Sequence, residues 1–391
     1  MLKQVEGSYA VAEVVAMCRP NVISAYPITP QTHIVEDLAM IVGQGKLDAE
    51  YVNVESEFSA ASVVLGASAA GARAYTATSS QGLLLMSEVI YCIAGMRLPI
   101  VLTCANRAIS APLSIWNDQQ DSMALRDAGW IQLHAEDNQE AADLHIQAFK
   151  IAEQTSLPVM VCMDGFILTH AFEPVDIPEP REVDAFLPPF KPKNIVDPRW
   201  PRGIGLFADP RFYMETRYIL HRAMEKSEET IKEVSADFSK AFGRESGGFI
   251  KTYKLKKADL AIISMGSVVG TIKELIDRLE EEGKNVGLLQ ICSYRPFPRY
   301  EVYNALKDKM NIVVLEKSIS LGRGGILASD VRWSFPKAEK KDRNISSFIA
   351  GLGGRNIPMD DLRYMVEKVD KEPVEIEFLG LKKELIAEKD L

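Results

Sequence analysis

With 391 residues the chain is too long for one ordinary core, and two domains is the default expectation. A hydrophobic share of 47% beside 25% charged residues excludes disordered and fibrous classes. A formal net charge of -9 excludes an electrostatic grip on nucleic acid or an anionic membrane, because both need clustered Lys and Arg.

The N-terminal segment has no apolar run leading to a small-residue cleavage site, since Glu13 interrupts AVAEVVAM. No window of about 18 uncharged apolar residues follows, so a cytoplasmic protein without membrane spans is expected. Tyr9 to Met17 has helical spacing that Arg19-Pro20 ends. VISAYP (22–27) reads as a buried strand, and the prolines of Tyr26-Pro27-Ile28-Thr29-Pro30 force an extended loop after it. Helical spacing resumes from Gln31 to Val42. Strands and helices then take turns: strand 51–54, helix 57–70, strand 73–78, helix 81–95, strand 99–105. After a long loop come a helix near 119–128, a strand at 130–134, a helix over 138–153 and a strand at 158–164. This alternation predicts a parallel sheet covered on both faces, with ligands meeting loops 26–30, 54–57, 78–82 and 105–118 at its carboxyl end.

Residues 172–203 are too rich in proline to sit inside a sheet, and read as an extended arm over a neighbouring surface or a plain linker. Phe212 to Phe242 is one long helical pattern, and KTYKLKK (251–257) reads as a solvated linker edge. Near Ala258 the strand and helix pattern restarts as a second, smaller unit. The fold class expected is therefore α/β with two parallel-sheet domains, over 1–245 and 250–391.

The centre of the chain is the stretch from Tyr51 to Gly82. It sets Glu55 and Glu57 at the mouth of a helix built of Ala, Ser, Gly and Val, followed by a strand and a Ser79-Ser80-Gln81-Gly82 turn. Small side chains let a ligand come close, and an acid entering such a wall is desolvated enough to share a proton with a ring nitrogen. Glu57 is the candidate; its plain alternative is a favourable place at the positive end of the helix dipole.

Several signatures are absent. There is no GxxxxGK[ST], GxSxG or HExxH, and the glycine clusters 266–270, 322–325 and 351–354 read as tight turns, not GxGxxG after a strand. Cys18, Cys92, Cys104, Cys162 and Cys292 are scattered and odd in number, which excludes a disulfide framework or a CxxC cluster. The five histidines offer no pair at i, i+4, so no protein-bound metal is expected here. An organic cofactor is left as the agent of chemistry.

Four long stretches carry a resemblance: AYPITPQT (25–32), VESEFSAASVVLGASAAGARAYTATSSQGLLLMSEVIY (54–91), ANRAISAPLSIWNDQQDSMALRDAGWIQLHAEDNQEA (105–141) and LEKSISLGRGG (315–325). Together they resemble the alpha subunit of 2-oxoacid:ferredoxin oxidoreductases, the pyruvate synthase type above all. The resemblance implies a thiamine diphosphate-dependent enzyme that cleaves a 2-oxoacid with coenzyme A and passes electrons to ferredoxin. It implies an N-terminal pyrimidine-type thiamine diphosphate domain and a transketolase C-terminal-like domain.

By the same resemblance, Glu57 hydrogen-bonds the aminopyrimidine N1′ and so readies thiazolium C2 for attack. Arg107 holds the substrate carboxylate with two parallel bonds and Thr29 helps, while Asn117 and Asp118, after Trp116, border the pocket. Pro27 and Ser80 face the cofactor. Taken alone, each has an ordinary reading as turn, cap or ion-pair chemistry.

Two departures matter. The GDG and following Asn that hold diphosphate and magnesium are missing, and MDGF (163–166) is no substitute; cluster-binding cysteines are missing too. The implied partners are therefore a beta subunit carrying the diphosphate half and a cluster, a ferredoxin-like delta subunit and a gamma subunit, with magnesium and [4Fe-4S] clusters on these partners. Neutral Thr29, with Arg126 the nearest spare cation, favours pyruvate over the dianions oxalate and 2-oxoglutarate. A branched-chain oxoacid remains the alternative substrate, and a non-catalytic scaffold subunit the alternative of another class.

Overall fold

The computed structural model describes residues 2–192, 195–201, 203–336 and 343–390. Its first unit is a seven-stranded sheet in the order Ser293–Arg295, Ile131–His134, Val159–Asp164, Val101–Asn106, Ala74–Thr78, Val22–Ala25, Glu50–Asn53. Every neighbouring pair is parallel except the one made by Ser293–Arg295. Side-chain alternation sorts the two faces: Val159, Val161 and Met163 enter one core cluster, Met160 and Cys162 the other. Both faces are thus apolar, as a parallel sheet between helix layers requires.

The second unit is a six-stranded sheet in the order Glu377–Phe378, Asn344–Ile349, Asn311–Glu316, Leu260–Ser264, Val286–Ile291, Ile250–Tyr253. Leu260 and Ile262 face one cluster while Ala261 and Ile263 face the other. Among the described residues no helix is long and apolar enough to cross a membrane.

Four details differ from the expectations above. Phe172–Asp176, inside the proline-dense stretch, is a strand paired antiparallel with Leu2–Glu6. Both strands of a two-stranded ribbon are edges, where a proline such as Pro174 is tolerated. The stretch also holds a short helix, Pro180–Phe186, with proline in its first turn and Glu182 accepting the Glu179 amide at 2.8 Å. Part of KTYKLKK belongs to the edge strand Ile250–Tyr253, where Lys251 pairs with the buried Glu140 at 2.6 Å. Finally, the helix expected over 81–95 is two, Ser80–Leu85 and Ser87–Gly95.

A buried polar knot joins the units. Asp164, of the MDGF stretch, ends its strand 2.6 Å from Lys317 Nζ, and both are almost wholly buried. Asp164 also accepts the Ser267 amide at 2.9 Å and the Gln119 side-chain amide at 3.2 Å. Burial opposes its charge, but Lys317 and Ser267 outweigh that and hold the carboxyl at about 2.

Candidate active site

Parallel strands send their following loops to one end of the sheet, and the loops holding Thr29, Glu57, Ser80 and Arg107 all leave from that end. Ser56 caps the helix Glu57–Ala69 by accepting the Ser59 amide at 3.3 Å. Around this cap the two acids part. Glu55 is exposed and accepts the Ser59 hydroxyl at 2.5 Å, which holds its carboxyl below the usual range. Glu57 is only 7% exposed, yet no hydrogen bond or ion pair from any described residue reaches its carboxylate. Gly82 leaves it room: an added Cβ there would lie 2.6 Å from Glu57 Oε1 and 2.5 Å from Thr78 Oγ1. Thr78 Oγ1 is itself buried without a partner among the described residues.

Ser80 is buried with φ 48, a left-handed conformation that costs energy outside glycine. Its amide donates to Asp121 Oδ2 at 2.9 Å, and its hydroxyl to the Ala108 carbonyl and the Gln81 side chain. The Ser79 hydroxyl donates to the Ala105 carbonyl at 2.7 Å and does not cap the helix Ser80–Leu85. Asp121 Oδ2 also accepts the Arg107 amide at 2.9 Å, while Oδ1 accepts Asn106 Nδ2 at 2.7 Å and the Ser122 amide at 2.8 Å. Burial pushes Asp121 up to about 7 against the pull of these donors. Asp121 therefore ties the Ser80 turn to Arg107. Sequence reasoning missed it, because the amides that need it come from loops distant in the chain.

Arg107 and Thr29 do come together: Arg107 Nη1 donates to the Thr29 carbonyl and Nε to the Ser114 carbonyl, both at 2.9 Å. Arg107 is 6% exposed, and among the described residues no carboxylate lies within ion-pair distance of its guanidinium. Burial lowers its proton affinity and the charge of Asp121 partly restores it. Pro27 and Thr29 are exposed on the loop, while Pro30 packs under it against Gly165, where an added Cβ would meet Pro30 Cγ at 2.6 Å.

Asn117 and Asp118 are both buried. Asn117 Nδ2 donates to the Asn106 carbonyl at 3.1 Å, and its Oδ1 lacks a partner among the described residues. Asp118 accepts the amides of Gln120 and Gly353, each at 3.0 Å, so its carboxylate is engaged with the second unit. Burial raises it. Arg126 lies beyond the helix Gln120–Ala124, donating to the Met123 carbonyl at 2.7 Å.

This end of the sheet thus carries a buried acid and a buried guanidinium that makes no ion pair among the described residues. A parallel α/β sheet presenting both at its carboxyl end is the architecture of an enzyme that holds a charged organic ligand there. The chain belongs to the pyruvate flavodoxin/ferredoxin oxidoreductase family: the thiamine diphosphate-binding region of that family matches residues 13–236, and the pyruvate:ferredoxin oxidoreductase core domain II matches residues 258–362. It is 48% identical to pyruvate synthase subunit PorA of Methanosarcina barkeri, over 98% of this chain and 97% of that one. It is 41% identical to ketoisovalerate oxidoreductase subunit VorA of Pyrococcus abyssi, over 94% of this chain and 93% of that one. The fold is similar to that of the solved 2-oxoglutarate:ferredoxin oxidoreductase from Magnetococcus marinus with 2-oxoglutarate, coenzyme A and succinyl-CoA bound. The TM-score is 0.72 at 21% identity, over 94% of this chain and 65% of that one.

Proposed function

We propose that this chain is the alpha subunit of a multi-subunit 2-oxoacid:ferredoxin oxidoreductase whose substrate is pyruvate. With coenzyme A it yields acetyl-CoA and CO2, or runs in reverse, and its electrons pass to ferredoxin. The observation that carries this reading is the buried Glu57 carboxylate, left without a partner beside a glycine that keeps its Oε1 clear. That space suits the edge of an aminopyrimidine, so the residues fit the pyrimidine end of thiamine diphosphate. Bound there, the cofactor supplies a carbon nucleophile and an electron sink.

The chain's own part is to hold and orient. Glu57 shares a proton with N1′ of the ring. Arg107 keeps Nη1 and Nε on the carbonyls of Thr29 and Ser114 and offers its remaining edge to the oxoacid carboxylate. The Thr29 hydroxyl stands beside that carboxylate, and Asn117 borders the pocket with its Nδ2 held on the Asn106 carbonyl. Asp118 borders the substrate through the loop it anchors on Gly353. Pro27 and the turn at Ser80 shape the cofactor side.

In this reading residues 1–245 form the pyrimidine-type unit and 250–391 the transketolase C-terminal-like unit. The beta, gamma and delta subunits bring the diphosphate anchor, magnesium and [4Fe-4S] clusters, in a cytoplasmic complex. Pyruvate is preferred to a branched-chain oxoacid because the chain is more similar to the PorA relative than to the VorA relative. The test is ferredoxin reduction by the complex purified with its partners, supplied in turn with pyruvate, ketoisovalerate and 2-oxoglutarate. The highest kcat/KM is expected with pyruvate; turnover of either rival alone rejects the assignment.

A further inference from the structure

Three ligating side chains meet behind the Thr29 loop on segments that are far apart in the chain. Glu6 ends the first strand, His33 lies in the first turn of the helix Thr32–Gly43, and His170 lies just before the strand Phe172–Asp176. One donor atom from each falls within 4.8 Å of the other two. His33 Nδ1 is 2.6 Å from Glu6 Oε1, and the two imidazole centroids are 4.6 Å apart. Thr169 Oγ1 stands 2.7 Å from His170 Nδ1 and itself accepts the Phe166 amide at 2.8 Å. That contact engages Nδ1 and orients the His170 ring.

An ion pair explains His33 beside Glu6 but not the second imidazole. Two charged imidazoles at this spacing would repel each other. The cluster therefore combines two imidazole nitrogens with one carboxylate oxygen, on three separate segments.

We infer that Glu6, His33 and His170 form a binding site for a divalent cation of the zinc class. Two histidines and one carboxylate are a donor set that zinc accepts while keeping a fourth position for water or another acid. Thr169 is the outer partner that orients a ligating imidazole. Such an ion would clasp three segments next to the candidate active site. His33 follows directly on the Thr29 loop. His170 packs as a tilted pair against Phe166 with centroids 4.8 Å apart, and Phe166 packs likewise against Trp116 at 4.7 Å. The histidine spacing in the sequence gave no sign of this, because only the fold brings the two rings together.

The full-length chain, stripped with chelator and titrated with zinc chloride in a calorimeter, is expected to take up about one ion per chain at this site. The His33→Ala/His170→Ala variant is expected to lose that uptake, and Thr169→Val to weaken it by about 10- to 100-fold. Cobalt(II) gives a second reading that does not depend on activity: visible bands of nitrogen and oxygen ligation in the unmodified chain, absent from a Glu6→Gln variant shown by circular dichroism to be folded. Equal zinc uptake by the unmodified chain and the double variant, or none by either, overturns the site.

Discussion

Each unit buries one glutamate against a glycine at the carboxyl end of its sheet, and the two acids have different fates. Glu316 ends the strand Asn311–Glu316, 1% exposed, and an added Cβ on Gly325 would lie 2.3 Å from its Oε1. Its Oε2 accepts the amides of Ile326 and Leu327 at 2.8 and 2.9 Å and the Ser318 hydroxyl at 3.1 Å, and Oε1 accepts the Ala328 amide at 3.1 Å. These are the open amides of the helix Ile326–Ser334, which need acceptors from outside the helix. Burial still raises the Glu316 carboxyl, with the bonds pulling the other way. Glu57 is buried nearly as well and likewise lies where only a glycine, Gly82, leaves it room, but receives no such bonds among the described residues. An acid beside an obligatory glycine is therefore not a sign of function in itself. What separates the two is whether the chain uses the carboxylate for its own construction.

The contrast can be broken most directly at Glu57. Glu57→Gln is expected to lower pyruvate-dependent ferredoxin reduction by about 10^3-fold or more, a span general acid-base catalysis can supply. The melting temperature of the complex should hardly move, since the native carboxylate has no bond to lose. Near-normal turnover would remove the distinction altogether. Glu316→Gln should do the opposite: lose about 3 kcal/mol in urea unfolding, because buried amides lose a charged acceptor, with kcat little changed.

Another engaged acid sharpens the picture through pH. The folded carboxyl of Asp164, at about 2, lies below its ordinary value of 3.8. It contributes stability that is present above that ordinary value and is lost as pH falls through the folded one. Acid titration followed by thermal melts should show a loss of about 2 kcal/mol between roughly pH 4 and pH 2. The smallest effect is expected at the cation. Arg107→Lys keeps the charge but not the planar fork, and should raise the pyruvate KM on the order of tenfold with kcat less affected. A change confined to the coenzyme A dependence would place Arg107 at another step.

Much of this was legible from the chain. The small-residue helix after Glu57 and the alternation of apolar runs marked the strands, and the loops holding Thr29, Glu57 and Arg107 followed from their order. What stayed hidden depends on partners remote in sequence. Asp121 reads as one more polar residue until the Ser80 and Arg107 amides close on it. Leu2–Glu6 and Ser293–Arg295 are too short for periodicity to betray, and exist as strands because of what they pair with. No spacing in the chain announces that Asp118 accepts the amides of Gln120 and Gly353.

Ser293–Arg295 has a practical consequence for anyone dividing this polypeptide. It lies beyond the long helix Tyr213–Phe242, yet it seals the open side of Ile131–His134, where the His134 amide also reaches the Cys292 carbonyl at 2.7 Å. A fragment truncated after the helix would present a bare row of amides and carbonyls along Ile131–His134, a template for self-association. The cofactor half therefore cannot be cut out and studied alone: the C-terminal part is the hem that stops its fabric from fraying.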